Sequence, residues 1–167
     1  MTAPNVGNPM HPVVTNQPRL PRTAALGPGR GGQQRLLIDA PAGAAEIYLH
    51  GATVTSWVPR GGTEVIFTSR QAVFDGATAI RGGIPLCLPE FGVGINGDAV
   101  PKHGWARIAP WRLRTVATTD DGGVRALLSV SRDRLTALYE VEVGETLRLG
   151  LSLRNEGTEP RTVEAAA

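Results

Sequence analysis

Cysteine, long apolar runs and clustered charge are all scarce in this sequence, and each scarcity excludes a class of protein. Cys87 is the single cysteine among 167 residues, which rules out a disulfide framework and a cysteine-rich metal site. No apolar run approaches the roughly 18 residues that a membrane-spanning helix needs. The first residues also lack the apolar segment of a signal peptide. These absences predict a cytoplasmic protein that makes no contact with a membrane.

Charge and histidine content are equally modest. The chain carries 17 basic and 15 acidic residues, for a net charge of +2, and the basic residues are scattered rather than arranged in stripes. Nucleic-acid binding is therefore not expected. The three histidines show no His-x-x-x-His spacing, so the sequence predicts neither a metal site nor a cofactor.

Two regions of the chain differ in composition. Residues 1–33 are rich in proline and glycine and show little apolar periodicity, a composition that buries too little surface to offset the entropy of ordering. We expect a disordered tail there, with His11 inert within it. Residues 34–167 alternate apolar and polar side chains between turn signals and are expected to form the folded domain.

The alternating segments predict strands and almost no helix. None of them shows an apolar period of 3.6 residues over three turns, whereas turn signals recur about every ten residues. Asp120-Asp121-Gly122-Gly123 is a strong hairpin signal. The predicted fold is all-β and antiparallel, with strands at 36–38, 46–50, 53–58, 64–68, 111–116, 124–131, 136–143 and 145–154 and a further strand starting at 161–164.

Residues 79–111, which we call the central loop, suit neither helix nor strand. They combine many glycines and prolines with Cys87 and two of the tryptophans. Chain breakers at this density predict a long folded loop, and such loops often carry functional residues. The site is therefore expected here. Cys87 itself lies in an apolar run and is interpreted as a small buried hydrophobe.

Three cations bracket the central loop, namely Arg81, Lys102 and Arg107. Guanidinium groups bind phosphate through two parallel hydrogen bonds, and lysine adds a point charge. Gly82 and Gly83 follow Arg81 and would let backbone N–H groups approach a ligand closely. Together these residues would suit a phosphate monoester. The alternative from spacing alone is that each is an ordinary solvated surface cation.

His103 and several aromatic residues complete the candidate site. A neutral imidazole at His103 would hydrogen-bond a sugar hydroxyl or the ring oxygen, although a histidine bonded to nearby backbone fits the sequence equally well. Glu90 either faces the pocket or fixes the loop as an acceptor. An apolar wall against a sugar ring, or simple core packing, would be formed by Phe91, Trp57, Trp105 and Trp111.

The ordered set of motifs in this region resembles the glucose-6-phosphate 1-epimerase family, the hexose-6-phosphate mutarotases related to aldose 1-epimerase. The resemblance covers residue 35 to the end of the sequence. It is carried by HGAxVxSW at 50–57, FDG at 74–76, RGGIP at 81–85, PxFG at 89–92, and HGxAR at 103–107 followed by Trp111. The combination is far more specific than any single motif.

The resemblance implies part of a galactose-mutarotase-like antiparallel β-sandwich over residues 34–167, acting on the α and β anomers of glucose 6-phosphate. In that family the phosphate is held by positions that correspond to Arg81, Lys102 and Arg107. The middle position is commonly glutamine, so Lys102 is a departure. His103 would orient the sugar.

The resemblance also implies that no catalytic residue lies in this sequence. The family's acid/base pair resembles a histidine that follows a segment like 162–166 and a glutamate far towards the C-terminus. We therefore expect a truncated mutarotase. The alternatives are a non-catalytic phosphosugar-binding module and an inactive remnant, whose exposed sheet edges favour self-association.

Overall fold

The alternating segments before the central loop form the first of two sheets. The structure, a computed structural model, describes residues 18–167. Four antiparallel strands pair in the order of the sequence, and a β-bulge between Glu46 and Ile47 shifts the register of the last pair. The strands are β1 (Ala24–Pro28), β2 (Gln34–Ala40), β3 (Gly43–Tyr48) and β4 (Thr53–Pro59).

The segments after the central loop form the second sheet, again antiparallel and in the order of the sequence. The Asp120–Gly123 signal does form the turn between its first two strands, in which Thr118 pairs with Val124. The strands are β5 (Arg112–Thr118), β6 (Val124–Arg132), β7 (Leu135–Val143) and β8 (Leu147–Asn155). The all-β prediction is confirmed.

The two sheets share one apolar core. Leu36 and Ile47 of the first sheet and Leu128 and Val141 of the second are at most 1% exposed and belong to the same buried cluster. A hydrogen bond also joins the sheets, because Nε1 of Trp57 donates to the carbonyl oxygen of Gly144 at 3.2 Å. Side chains alternate inwards and outwards along each strand, so a sandwich buries one face of each sheet.

The central loop contains no strand, as its glycines and prolines predict. Its regular structure is limited to one 3₁₀ turn, Ala106–Ile108, and isolated bridges to neighbouring segments. A second 3₁₀ turn, Arg30–Gly32, follows β1. Within residues 18–167, no helix is long and apolar enough to cross a bilayer.

The prediction of a strand at 64–68 is wrong, because this segment forms no strand in the structure. The carboxylate of Glu64 accepts hydrogen bonds from the backbone N–H groups of Trp57 and Ile66. These N–H groups are therefore bonded to a side chain and not to the backbone of a neighbouring strand. Val65 retains one backbone bond to Trp57 at 3.0 Å. The alternating pattern thus marks an irregular segment beside β4.

The expected disordered tail also needs correction within the described residues. Ala24–Pro28 form β1, which pairs with β2 from Ala24–Ile38 to Pro28–Gln34, because Leu26 and Ala24 pack against the core. Residues 1–17 lie outside the part of the chain that the structure describes. At the other end, no strand forms at 161–164, and a single bridge joins Ala166 to Cys87.

Candidate functional site

The central loop is fixed to the first sheet at both of its ends. Near its start, the N–H of Ile84 donates to the carbonyl oxygen of Val54 at 2.9 Å. Near its end, the N–H of Trp111 donates to Leu49, and the N–H of Gly51 donates to Ala109, both at 2.8 Å. The loop is therefore built on the rigid β3–β4 hairpin, which gives its side chains a defined position.

Two glycines allow the loop to approach β4 so closely. A Cβ on Gly51 would lie 2.4 Å from the carbonyl oxygen of Arg107, and one on Gly83 would lie 2.6 Å from that of Val54. Both also have positive φ angles, +71° and +72°, which favour glycine. The side chain of Thr53 lies against both positions. Thr53 therefore sits between the segment of Arg107 and the RGGIP motif.

Gly92 and His103 join the PxFG and HGxAR motifs. The N–H of His103 donates to the carbonyl oxygen of Gly92 at 2.7 Å, and the N–H of Gly92 donates to Nδ1 of the imidazole at 3.2 Å. Because Nδ1 accepts a hydrogen bond, the neutral ring carries its hydrogen on Nε2. Within residues 18–167, Nε2 of His103 makes no hydrogen bond.

His103 also contacts Cys87 and Phe91. Its Nδ1 lies 3.6 Å from Sγ of Cys87, and its ring packs edge-on against Phe91 with centroids 5.1 Å apart. The backbone of His103 has φ +64°, a left-handed conformation that sets the direction of the ring. Both interpretations of His103 therefore apply, since one ring nitrogen is bonded to backbone and the other is available.

The structure places Arg107 and Lys102 together. Nη2 of Arg107 donates to the carbonyl oxygen of Lys102 at 3.0 Å. Nε of Arg107 is buried and has no hydrogen-bond acceptor in the described part of the chain. The Lys102 side chain is exposed. The guanidinium group is thus held in place while one of its donors lacks a partner.

Arg81 lies at the opposite end of the central loop. Its side chain is exposed, while its carbonyl oxygen accepts a hydrogen bond from the N–H of Ser69 at 3.0 Å. No hydrogen bond joins its guanidinium group to Lys102 or Arg107 in residues 18–167. The structure therefore joins Arg107 to Lys102 by a hydrogen bond, and Arg81 lies at the start of the RGGIP turn with its backbone bonded to Ser69.

A cavity of about 550 Å³ opens beside the RGGIP turn and is mainly apolar. Its walls come from the central loop, from β8 and from the end of the chain. Backbone bonds of 2.9 and 3.1 Å between Cys87 and Ala166 fix that end of the chain. The lining residues are Gly83, Ile84, Pro85, Cys87, Phe91, Leu149, Ala166 and Ala167.

A model of the family described as aldose 1-epimerase matches residues 34–167. The chain belongs to the aldose 1-epimerase family. It is 32% identical over 130 residues to a "Putative glucose-6-phosphate 1-epimerase" of Salmonella typhimurium, covering 72% of this chain and 44% of that protein. A protein of the same name from Escherichia coli K12 is 33% identical over 129 residues, with the same coverage. The family resemblance predicted from the motifs is confirmed.

A solved member gives the same result for the fold. The chain superimposes on YeaD of Salmonella typhimurium, described as a "putative mutarotase", with a TM-score of 0.74 and 29% identity, covering 82% of this chain and 48% of YeaD. The chain therefore spans less than half the length of these three relatives. The prediction of a mutarotase-like β-sandwich is confirmed.

The aromatic residues of this aldose 1-epimerase family member mostly serve packing. Trp105 and Trp111 are 5% and 3% exposed and belong to the core, and Trp57 packs against it. Phe91 alone among them lines the cavity beside RGGIP, and it is 53% exposed. Glu90 lines a smaller cavity of about 180 Å³ elsewhere. Residues 18–167 contain no group of three or more side chains placed to hold a metal.

Sequence reasoning missed three positions that build this site. The sequence predicts Thr53 only as a strand residue, Gly92 only as part of a motif, and Leu149 only as a residue of a later strand. The alternation of apolar and polar residues along β8 indicates that Leu149 lies on an apolar face, but it does not indicate that Leu149 lines a cavity. No sequence signal identifies Thr53, because a β-branched residue at the start of a strand is common.

Proposed function

We propose that the central loop binds the phosphate of a hexose 6-phosphate, and that this chain carries the anion-binding portion of a hexose-6-phosphate mutarotase. The observation that carries the proposal is the state of Arg107. One nitrogen of its guanidinium group is bonded to Lys102 at 3.0 Å, and its buried Nε has no acceptor within the described residues. Because Nη2 is bonded to Lys102 and Nε is buried, Nη1 is the donor left for a phosphate oxygen, which would accept a charge-assisted hydrogen bond from it.

The charges around Arg107 support an anion rather than a neutral ligand. Lys102 and Arg81 are exposed and form no ion pair with a carboxylate among residues 18–167, so both remain available. In our proposal Arg107 provides directed hydrogen-bond donors to the phosphate, and the exposed side chains of Lys102 and Arg81 add positive charge around it. The names of the Salmonella and Escherichia relatives refer to a 6-phosphate sugar, which supports the same choice of ligand.

The cavity beside RGGIP provides a place for the sugar. At about 550 Å³ it is within the usual size of small-molecule sites. Phe91 and Ile84 present apolar surface to the C–H face of a pyranose ring. His103 contacts Cys87 and Phe91, two residues of the cavity wall, and in our proposal its Nε2–H donates to a sugar hydroxyl.

Anomer exchange needs two groups that this site does not provide. A base takes the proton from O1 while an acid protonates the ring oxygen, the ring opens, the C1–C2 bond rotates, and the ring closes on the other carbonyl face. Both groups must lie within hydrogen-bond reach of the sugar. No side chain that carries a carboxyl or imidazole group lines the cavity of about 550 Å³. We therefore place the acid/base pair in polypeptide that the relatives have beyond the matched portion.

The same observation supports a second candidate function, a phosphosugar-binding module without catalysis. In both cases the anion is bound by the same three cations. The candidates differ in whether this polypeptide alone accelerates the exchange of glucose 6-phosphate anomers. Our proposal predicts no acceleration above the spontaneous rate by residues 1–167 alone.

Binding by variants tests the assignment of the cations. We expect Arg107→Ala and Arg81→Ala each to weaken glucose 6-phosphate binding about tenfold or more in titration calorimetry, because a charge-assisted hydrogen bond is lost. Arg22→Ala is the matched control, since Arg22 is exposed and lies outside the central loop. Equal affinities in all three variants would overturn the assignment.

A further inference from the structure

Trp111 ends the central loop, and its indole group is hydrogen-bonded to the turn that carries Arg107. Nε1 of Trp111 donates to the carbonyl oxygen of Ala106 at 2.9 Å. Trp111 is 3% exposed and Ala106 is fully buried, so this bond lies away from solvent. Ala106 begins the 3₁₀ turn Ala106–Ile108. The indole N–H is therefore bonded to the peptide group that joins Ala106 to Arg107.

The turn that carries Arg107 is short, and one of its backbone bonds is long. A 3₁₀ turn has poorer hydrogen-bond geometry than an α-helix. The N–H of Ala109 donates to the Ala106 carbonyl at 3.3 Å, beyond the usual upper limit of about 3.2 Å for such a bond. The bond from Trp111 to the same carbonyl is shorter, at 2.9 Å. The indole group therefore provides the better-formed of the two bonds to the Ala106 carbonyl.

Trp111 is itself held by both sheets. Its backbone N–H donates to the carbonyl oxygen of Leu49, directly after β3, at 2.8 Å. Its ring packs edge-on against Tyr139 of β7, with centroids 6.2 Å apart, an arrangement that aromatic pairs favour. Tyr139 is 1% exposed. The peptide group before Arg107 is thus connected through Trp111 to the buried core.

The position of that peptide group determines where the Arg107 side chain begins. The turn is also in close contact with Gly51, since a Cβ there would lie 2.4 Å from the carbonyl oxygen of Arg107. At the end of the side chain, Nη2 is bonded to Lys102 and Nε is buried, which leaves Nη1 for a ligand. A guanidinium group binds phosphate through directional hydrogen bonds. A shift in the backbone of the turn would therefore misalign Nη1.

We propose that Trp111 is a positioning residue for phosphate recognition, because its indole N–H fixes the turn from which Arg107 reaches the phosphate. The inference rests on the proposed function, and in it Trp111 makes no contact with the ligand. A role in core packing alone would give Trp111 an effect on stability but none on the choice between glucose 6-phosphate and glucose. Loss of the indole N–H should therefore weaken the binding of the phosphorylated sugar selectively.

Trp57 provides the matched control. Its Nε1 also donates to a backbone carbonyl, that of Gly144, at 3.2 Å, and its ring also packs against the core. Gly144 lies between β7 and β8, so this bond involves no residue of the turn Ala106–Ile108. Trp57→Phe removes the same N–H donor and the same ring volume as Trp111→Phe. It therefore measures what these losses cost at a site that does not hold Arg107.

Titration calorimetry of the full chain with glucose 6-phosphate and, separately, with glucose compares the two variants with the parent. We expect Trp111→Phe to bind glucose 6-phosphate about fivefold more weakly, a loss typical of one hydrogen bond, and to bind glucose as the parent does. Trp57→Phe should keep both affinities. Circular dichroism checks that each variant is folded. If Trp111→Phe does not fold, β-(3-benzothienyl)alanine at position 111 keeps the fused rings, lacks the N–H donor and gives the same comparison.

A reduced preference for glucose 6-phosphate in the Trp111 variant, with the parent preference kept in Trp57→Phe, would support the positioning role. An unchanged preference in the folded Trp111 variant would overturn that role while leaving the phosphate site intact. Equal losses in the two variants would assign the effect to packing and would also overturn it. A parent chain that does not prefer glucose 6-phosphate to glucose would overturn the proposed function, and this inference with it.

Discussion

Gly92 and His103 are joined by two reciprocal hydrogen bonds. The N–H of His103 donates to the carbonyl oxygen of Gly92 at 2.7 Å, and the N–H of Gly92 donates to Nδ1 of the His103 ring at 3.2 Å. The pair links two motifs of the central loop, through residues that are 11 positions apart in the sequence. It also fixes the ring, so that Nε2 remains the hydrogen-bearing nitrogen available to a ligand.

We predict that the acceptor at position 103 matters for stability. His103→Leu removes the partner of the Gly92 N–H and places a bulky residue at φ +64°, which should lower the free energy of unfolding by about 2 kcal/mol. His103→Asn keeps an acceptor and tolerates the left-handed conformation. The free energy of unfolding of His103→Asn should therefore fall by less than about 1 kcal/mol. Urea unfolding of both variants gives the comparison, and equal losses would contradict this role of the ring.

Gly104 offers a second test, of how tightly the loop is packed. A Cβ at this position would lie 2.2 Å from the carbonyl oxygen of Leu88. We predict that Gly104→Ala lowers the free energy of unfolding by at least about 3 kcal/mol, because backbone must move in addition to the left-handed strain.

Gly61→Ala is the matched control for Gly104→Ala. Gly61 has φ +67°, close to the +68° of Gly104, but a Cβ there would meet no atom within 4 Å. Its cost should be about 1 kcal/mol, the left-handed strain alone. Thermal and urea unfolding measure both variants. A similar loss in the two proteins would show that the contact with Leu88 is unimportant.

Stability at acid pH should depend on Asp75. Hydrogen bonds from the backbone N–H groups of Thr78 and Ala77, and from the Thr78 hydroxyl, hold the pKa of Asp75 at about 2, below its ordinary 3.8. A carboxyl group whose pKa is lower in the folded protein than in the unfolded chain stabilises the fold at pH values above its ordinary pKa. This stabilisation is lost as the pH falls from 3.8 towards 2.

The pH dependence is isolated by comparison with Asp75→Asn. The variant should lose stability at neutral pH and show a shallower decline of its urea midpoint between pH 5 and pH 2. Asp121 and Glu142 also have lowered pKa values. They make the same contribution to the pH dependence of stability in both proteins, so the difference between the two curves is due to Asp75. Parallel curves for the two proteins would refute the assignment.

Local signals predicted much of the fold. Alternation identified most strands because one face of each is buried, as Leu36 and Ile38 show in β2. The Asp120–Gly123 turn could be predicted from the sequence because its residue types favour a tight turn. The prediction failed at 64–68, where the Glu64 carboxylate binds the N–H groups of Trp57 and Ile66, a contact that alternation does not encode.

The site was less predictable than the fold. Motif spacing located the central loop and its family, but contacts between motifs depend on backbone conformation. The ring of His103 reaches Gly92 and Cys87 because its own φ is +64°, a value uncommon outside glycine. The packing of Trp105 and Trp111 likewise follows from the tertiary structure. The roles of Arg81, Lys102 and Arg107 in binding stay predictions.

The most direct measurement is titration calorimetry of the unmodified, folded chain with glucose 6-phosphate and, separately, with glucose. We predict that glucose 6-phosphate binds at least about tenfold more tightly than glucose, because phosphate supplies the acceptor that Arg107 lacks. Added salt should weaken that binding. Equal affinity for both sugars, or no binding of glucose 6-phosphate by protein with an intact β-sheet spectrum, would contradict the phosphate site in the central loop.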